Sequence, residues 1–232
     1  MEQQPAIRVV PATEDRWVDF AEMLDASGEI GCWCQAWRGF DTRALSGGKS
    51  RPELAREQMR RGPPEPGYVA YDGETVVGWV GVSVRTETPR LVTSRTIPAI
   101  DDKPVWSIGC FRVRPGHRRR GVAAALLAGV VEAARRAGAP GVEAYPIDPE
   151  GRRVEVGAGY VGIASMFDRA GFRRVLVTDA HSGRLSRHLV RLDLDGSDAA
   201  PTAVSRAARG RSAGGRESRA SATARRSGTH RG

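Results

Sequence analysis

Apolar and polar positions alternate along most of the chain in short runs that read as strands, and four longer stretches read as helices. Ile7 to Val10 is apolar and β-branched, and Thr13 stands before the acidic Glu14 and Asp15, so a strand followed by a helix to about Leu24 is expected. Gly28 to Gly48 has no clear period, and Arg51 to Arg61 reads as a second helix stopped by Gly62-Pro63-Pro64. Tyr68 to Tyr71 and the β-branched run Thr75 to Val84 flank the turn Asp72-Gly73, which is a hairpin pattern. Pro89 to Lys103 is a polar connection, and Val105 to Val113 is a strand that Pro115-Gly116 ends. Val122 to Ala137, dense in alanine and leucine, predicts the longest helix, with Gly138 as its stop. A strand Val142 to Tyr145, a loop Ile147 to Gly159, a helix Tyr160 to Ala170 closed by Gly171, and strands Phe172 to Val177 and His188 to Leu194 complete the order. The predicted class is α/β (α+β) within one domain over residues 1–195.

From Gly196 onward the pattern stops. The segment holds Arg, Ser, Ala, Gly and Thr with no aromatic residue, too little apolar surface to offset the entropy of ordering, so residues 196–232 are expected to form a disordered tail. The tail also changes the meaning of the net charge of +9. Eight of its residues are arginine against Asp198 and Glu217, an excess of six, which leaves the other 195 residues with three. So small an excess argues against nucleic acid as the partner of the domain. No run approaches the roughly 18 apolar residues of a spanning helix, and the N-terminus lacks the apolar run of a signal peptide. With three cysteines, Cys32, Cys34 and Cys110, reduced thiols and a cytoplasmic location are the expectation.

The candidate chemistry sits between the strand ending at Val113 and the helix starting at Val122. A helix start has unpaired N–H groups and a partial positive charge, so a phosphate placed there is bound by main chain. Gly121 and the small Ala123 allow close approach, and Arg118, Arg119 and Arg120 add charge at the rim. There is no Gly-Lys-Ser/Thr as in a nucleotide-binding P-loop, and no Gly-x-Gly-x-x-Gly.

This turn resembles the acyl-CoA signature of the Gcn5-related N-acetyltransferase (GNAT) superfamily, Arg/Gln-x-x-Gly-x-Gly/Ala, matched by Arg118, Gly121 and Ala123, with Val113 and Pro115 at the family's Val-x-Pro. The resemblance implies a mixed, mostly antiparallel sheet flanked by helices, and acetyl-CoA as cosubstrate. It implies that the amides of residues 118 to 123, Val122 included, hold the CoA pyrophosphate, and that the backbone of Phe111, Arg112 and Val113 pairs with the pantetheine arm. The activity implied is transfer of acetyl to a primary amine of a small molecule or protein in a ternary complex. The alternatives are an inactive CoA-binding regulatory module and an RNA-associated protein acting through its tail. A small-molecule or peptide amine is the expected partner, with no membrane, and a homodimer stays open.

The family's usual base, a Glu near the central strand, has no match in Val105 to Val113. Glu143 on the next strand is the nearest acidic candidate, with a solvent-facing strand residue as its alternative. The family's usual acid, a Tyr about four residues before the Gly-Phe turn, is replaced by Phe167, which cannot donate a proton. Tyr145 and Tyr160 are the remaining acid candidates, with packing roles as their alternative and water as a third proton carrier. Cys110 as an acyl nucleophile stands against a buried structural cysteine. In Cys32-Trp33-Cys34-Gln35-Ala36-Trp37-Arg38, Trp33 and Trp37 form either a wall for the acceptor amine or a roof over the core. Cys32, Cys34, Cys110 and His117 lack the spacing of a zinc knuckle, so no metal is expected.

Overall fold

A computed structural model describes residues 7–24, 31–39, 46–152, 154 and 157–196. The expected tail lies outside these apart from Gly196, as do parts of the irregular stretch before Ser46 and of the loop before Gly159. The described residues fall in a compact unit, Met1–Pro201. No helix among them is long and apolar enough to cross a membrane.

Seven strands form one sheet: β1 Arg8–Pro11, β2 Gly67–Asp72, β3 Thr75–Val84, β4 Trp106–Val113, β5 Gly141–Ala144, β6 Arg173–Ser182 and β7 Leu185–Asp193. Their order is β1-β2-β3-β4-β5-β7-β6, and β4 with β5 is the one parallel pair. This is the mixed, mostly antiparallel sheet flanked by helices that the resemblance implied. β3 reads as a nearly unbroken apolar run because both its faces are covered. Val80 and Val82 enter the core beneath helix α3, Val122–Arg136, while Val76 and Trp79 enter a second core beneath helices α1, Trp17–Leu24, and α2, Arg51–Arg60.

The helices start and stop where their end residues require. Ser50 and Glu53 form a capping box, the Glu53 carboxylate accepting from the Ser50 N–H at 2.7 Å. α3 buries Leu126, Leu127 and Val130, each worth about 1.5–3 kcal/mol. It lies close to the sheet because β3 offers Gly78, where an added Cβ would stand 2.7 Å from Val122 Cγ1.

Three expectations need correction. The helix expected over Tyr160 to Ala170 is two pieces, a 3-10 turn Gly159–Val161 and helix α4, Ala164–Arg169, because Gly162 at φ +85° cannot continue a right-handed helix. The strands expected at Phe172 to Val177 and His188 to Leu194 are longer and join as a hairpin across Gly183. The connection Pro89 to Lys103 opens with a helical turn, Pro89–Val92.

Candidate functional site

β4 creates the site by parting from its neighbour. It pairs with β5 only over Trp106, Ser107 and Ile108, while on its other side Gly81 pairs with Cys110 and Val82 with Ile108, so Gly109 is the extra residue of a bulge. Beyond the bulge, Phe111, Arg112 and Val113 keep β3 as a partner and have no strand on the β5 side. The gap is occupied by a side chain. Trp37, on the 3-10 turn Ala36–Arg38, seats its ring where a Gly109 Cβ would be, 2.9 Å from Trp37 Cδ1, and stacks on Tyr145 at 5.7 Å.

A cavity of about 920 Å³ opens along the parted edge. Phe111, Arg112 and Val113 form one wall, and His117, Arg118, Arg119 and Gly121 to Ala124 form the end. Gly121 caps α3 at φ +82° and Arg119 sits at φ +61°, a left-handed pair that turns the chain into the helix. The N–H groups of Val122, Ala123 and Ala124 have no hydrogen-bond partner among the described residues, the first helical bond of this end being Ala125 N–H to Gly121 O. An anion is the partner that such an end takes. Arg120 departs from the expected rim. Its guanidinium reaches Asp72 at 3.0 Å, beside His117, and it does not line the cavity.

Cys32, Trp33, Cys34, Ala36 and Trp37 form a further wall. Trp33 is buried and stacks on Trp17 at 5.6 Å, so it roofs the core as well as lining the cavity. Trp33 and Cys34 adopt φ +47° and +58°, strained values for residues with side chains. The strain turns Cys34 toward the sheet, where the absent side chain of Gly81 makes room; a Cβ there would lie 2.2 Å from Cys34 Sγ. Cys32, Cys34 and Cys110 are free thiols, and all three line the cavity. A hydrogen bond from Cys110 brings the Cys34 thiol down to about 6 against the opposing effect of burial, with help from the Arg38 charge. The same bond, with burial, pushes Cys110 up.

Of the three acid and base candidates the geometry brings one to the cavity. Glu143 is fully buried, which corrects the solvent-facing alternative. Its carboxylate accepts from Arg85 Nε at 3.1 Å, from Arg191 Nη1 at 3.1 Å and from the Tyr145 hydroxyl at 2.7 Å. Tyr145 is 1% exposed, its hydroxyl also meets Ser107 Oγ at 3.0 Å, and burial followed by the Glu143 charge pushes it well above the usual phenol range. Neither lines the cavity. Tyr160 does, and its hydroxyl oxygen accepts from Arg187 Nη2 at 2.6 Å. Phe167 is buried against Phe111 and Phe172 in the core.

Arg85, Arg187 and Arg191 belong to no motif in the sequence. The available signal was alternation in β7, which places Arg187, Leu189 and Arg191 on one face, all buried.

A family model described as "Acetyltransferase (GNAT) family" matches residues 34–152, just over half of the chain. No curated protein matches the sequence. Solved structures with a similar fold include an N-acetyltransferase from Staphylococcus aureus Mu50, 16% identical with a TM-score of 0.49, covering 82% of this chain and 99% of that one. Another is yncA, a putative acetyltransferase from Salmonella typhimurium with its cofactor acetyl-CoA, 16% identical, TM-score 0.48, covering 85% and 99%. A third is the PaiA N-acetyltransferase from Thermoplasma acidophilum in complex with coenzyme A, 14% identical, TM-score 0.46, covering 81% and 99%.

Proposed function

Because this chain belongs to the acetyltransferase (GNAT) family, we propose that it transfers the acetyl group of acetyl-CoA to a primary amine of a small molecule or peptide by direct attack in a ternary complex. The observation that carries the reading is the run of unpaired N–H groups at Val122 to Ala124, opening into the same cavity as the unpaired edge of β4. Those amides, with Arg118 and Arg119 at the rim, suit the CoA pyrophosphate. The β5-facing backbone of Phe111 to Val113 suits the amides of the pantetheine arm. Acetyl-CoA itself supplies the activated thioester.

The chain's part is then to position both substrates and to move two protons. Tyr160 is the residue we assign to the departing thiolate. Its oxygen already accepts from Arg187, so its own proton is free to point into the cavity, and the guanidinium faces the charge left behind. For the amine, no Asp or Glu lines the cavity among the described residues, and Arg112, Arg118, Arg119 and Arg169 outnumber the one anionic group, the Cys34 thiolate. Such walls disfavour an ammonium and favour the neutral nucleophile. Its proton leaves through water, since Glu143 is engaged by two arginines.

Calorimetric titration with acetyl-CoA tests the donor half, and no heat at high micromolar ligand would sink it. Tyr160→Phe tests the acid, with an expected fall in kcat of roughly 10²-fold or more at unchanged CoA affinity. An unchanged kcat would hand the proton to water.

A further inference from the structure

Trp37 has a second face. It also lines a separate cavity of about 520 Å³, together with Arg90, Arg95, Asp179, His181 and Arg187. Arg187 is the unusual member. It is 8% exposed, its guanidinium carbon lies 5.1 Å from the Trp37 ring centroid and 5.5 Å from that of Tyr160, and its one side-chain hydrogen bond among the described residues is the one to Tyr160. Its Nε is buried with no partner.

Burying a guanidinium is costly unless a carboxylate meets it. The other two buried arginines obey that rule, Arg85 and Arg191 sharing Glu143 and Arg191 also reaching Asp101 and Asp193. No carboxylate among the described residues lies within ion-pair distance of Arg187. A charge held between two rings with no counterion, on the wall of a cavity where three arginines outnumber one aspartate, is arranged for an anion from outside.

We propose that Arg187 is an acceptor-binding residue and that the acceptor is an amino acid, its carboxylate paired with Arg187 and its amine directed past Trp37 toward Tyr160. The proposal rests on the acetyltransferase reading and narrows it to a substrate class. A planar guanidinium presents in-plane N–H donors that match a carboxylate. In an α-amino acid the nitrogen is about 2.5 Å from the carboxyl carbon, so anchoring the acid at Arg187 places the amine beside the hydroxyl that Arg187 already binds. The volume suits a single small molecule.

The experiment compares each of a set of amino acids with its decarboxylated amine, phenylalanine with 2-phenylethylamine and leucine with 3-methylbutylamine among them, in the full-length protein with acetyl-CoA, following release of free CoA thiol. The acid is expected to exceed its amine by roughly 10- to 100-fold in kcat/KM, the range of a hydrogen bond to a charged group. In Arg187→Gln that ratio should fall to within about twofold of unity, whereas Tyr160→Phe should slow both substrates and keep the ratio. Because a ratio is read, a general loss of activity in Arg187→Gln does not obscure the result. Turnover of amines without a preference for the acid, or a preference that survives Arg187→Gln, overturns the proposal and leaves the acetyltransferase reading intact. Aminophosphonates preferred over amino acids would overturn the carboxylate assignment.

A second readout does not depend on turnover and is made on the unaltered protein, a variant serving only to assign the signal. In protein labelled with ¹⁵N-arginine, the Arg187 Nε–H resonance, assigned by its absence in Arg187→Lys, should move saturably with phenylalanine or leucine and not with the matching amines. A stationary resonance overturns the proposal even where acetyl-CoA binds. Failure of acetyl-CoA itself to bind would instead remove the donor assignment.

Discussion

Replacing Glu143 separates a catalytic base from a structural keystone. Its carboxylate stands between Arg85 and Arg191 and accepts from Tyr145, with all four groups buried. In Glu143→Ala, Arg191 keeps Asp101 and Asp193, whereas Arg85 keeps only a 3.4 Å bond to Ile97 O. One buried guanidinium is therefore left uncompensated, and breaking a buried pair in that way costs about 3–5 kcal/mol. At roughly 2–4 °C per kcal/mol for a domain of this size, Tm should fall by about 6–20 °C. Urea unfolding with the same m-value measures the loss directly. The double variant Glu143→Ala with Arg85→Met removes the orphaned charge and should recover most of it. Kinetics give the second arm. A keystone predicts that Glu143→Gln, assayed well below its Tm, keeps CoA affinity and most of kcat. A base predicts normal stability with kcat down by roughly 10²–10⁴-fold. Unfolding of Glu143→Ala within about 1 kcal/mol of the wild type would refute the reasoning, since surface-like substitutions stay in that range.

Two further outcomes follow from the site. Absorbance at 240 nm should show one thiolate forming near pH 6, from Cys34, and Cys110→Ala should push that titration up toward the ordinary range of about 8.5 by removing the hydrogen bond that favours the ion; no thiolate below pH 8 in the wild type would contradict the paired arrangement. Gly121→Val forces a β-branched residue to φ +82° at a cost of about 1–2 kcal/mol, so calorimetry should show CoA binding weakened by roughly 5- to 30-fold, and unchanged binding would remove the turn from the donor site.

What was legible in the sequence was local. The strand, turn and helix from Trp106 to Arg136 share one stretch of chain, and each residue's role there follows from its neighbours. The β6–β7 hairpin was half legible because β6 is an edge strand, with Val177 62% exposed and Thr178 and Ser182 buried as polar residues. Their hydroxyls donate to Arg187 O and Ala158 O, so the apolar alternation that marks a strand is missing while the backbone stays paired. Arg187 could not be found by pattern at all. Its burial is made by Trp37 and Tyr160, one 150 positions before it and the other 27, and neither spacing leaves a periodic trace. Tyr145 and Glu143 failed for the same reason in reverse. They lie at the right height in the sheet, but partners on three other elements point their polar atoms into the core.

Three positions of the sheet matter for what they do not carry. Gly78 admits Val122, Gly81 admits the Cys34 sulfur and Gly109 admits the Trp37 ring. Alanine scanning treats its probe as a deletion, yet at these three places alanine is an insertion, adding an atom under 3.0 Å from a neighbour. A scan across β3 and β4 would therefore mix two opposite experiments in one profile. Its deepest losses at these glycines would record displaced neighbours, each belonging to a different wall of the site: the helix start, the thiol pair and the partition between the two cavities.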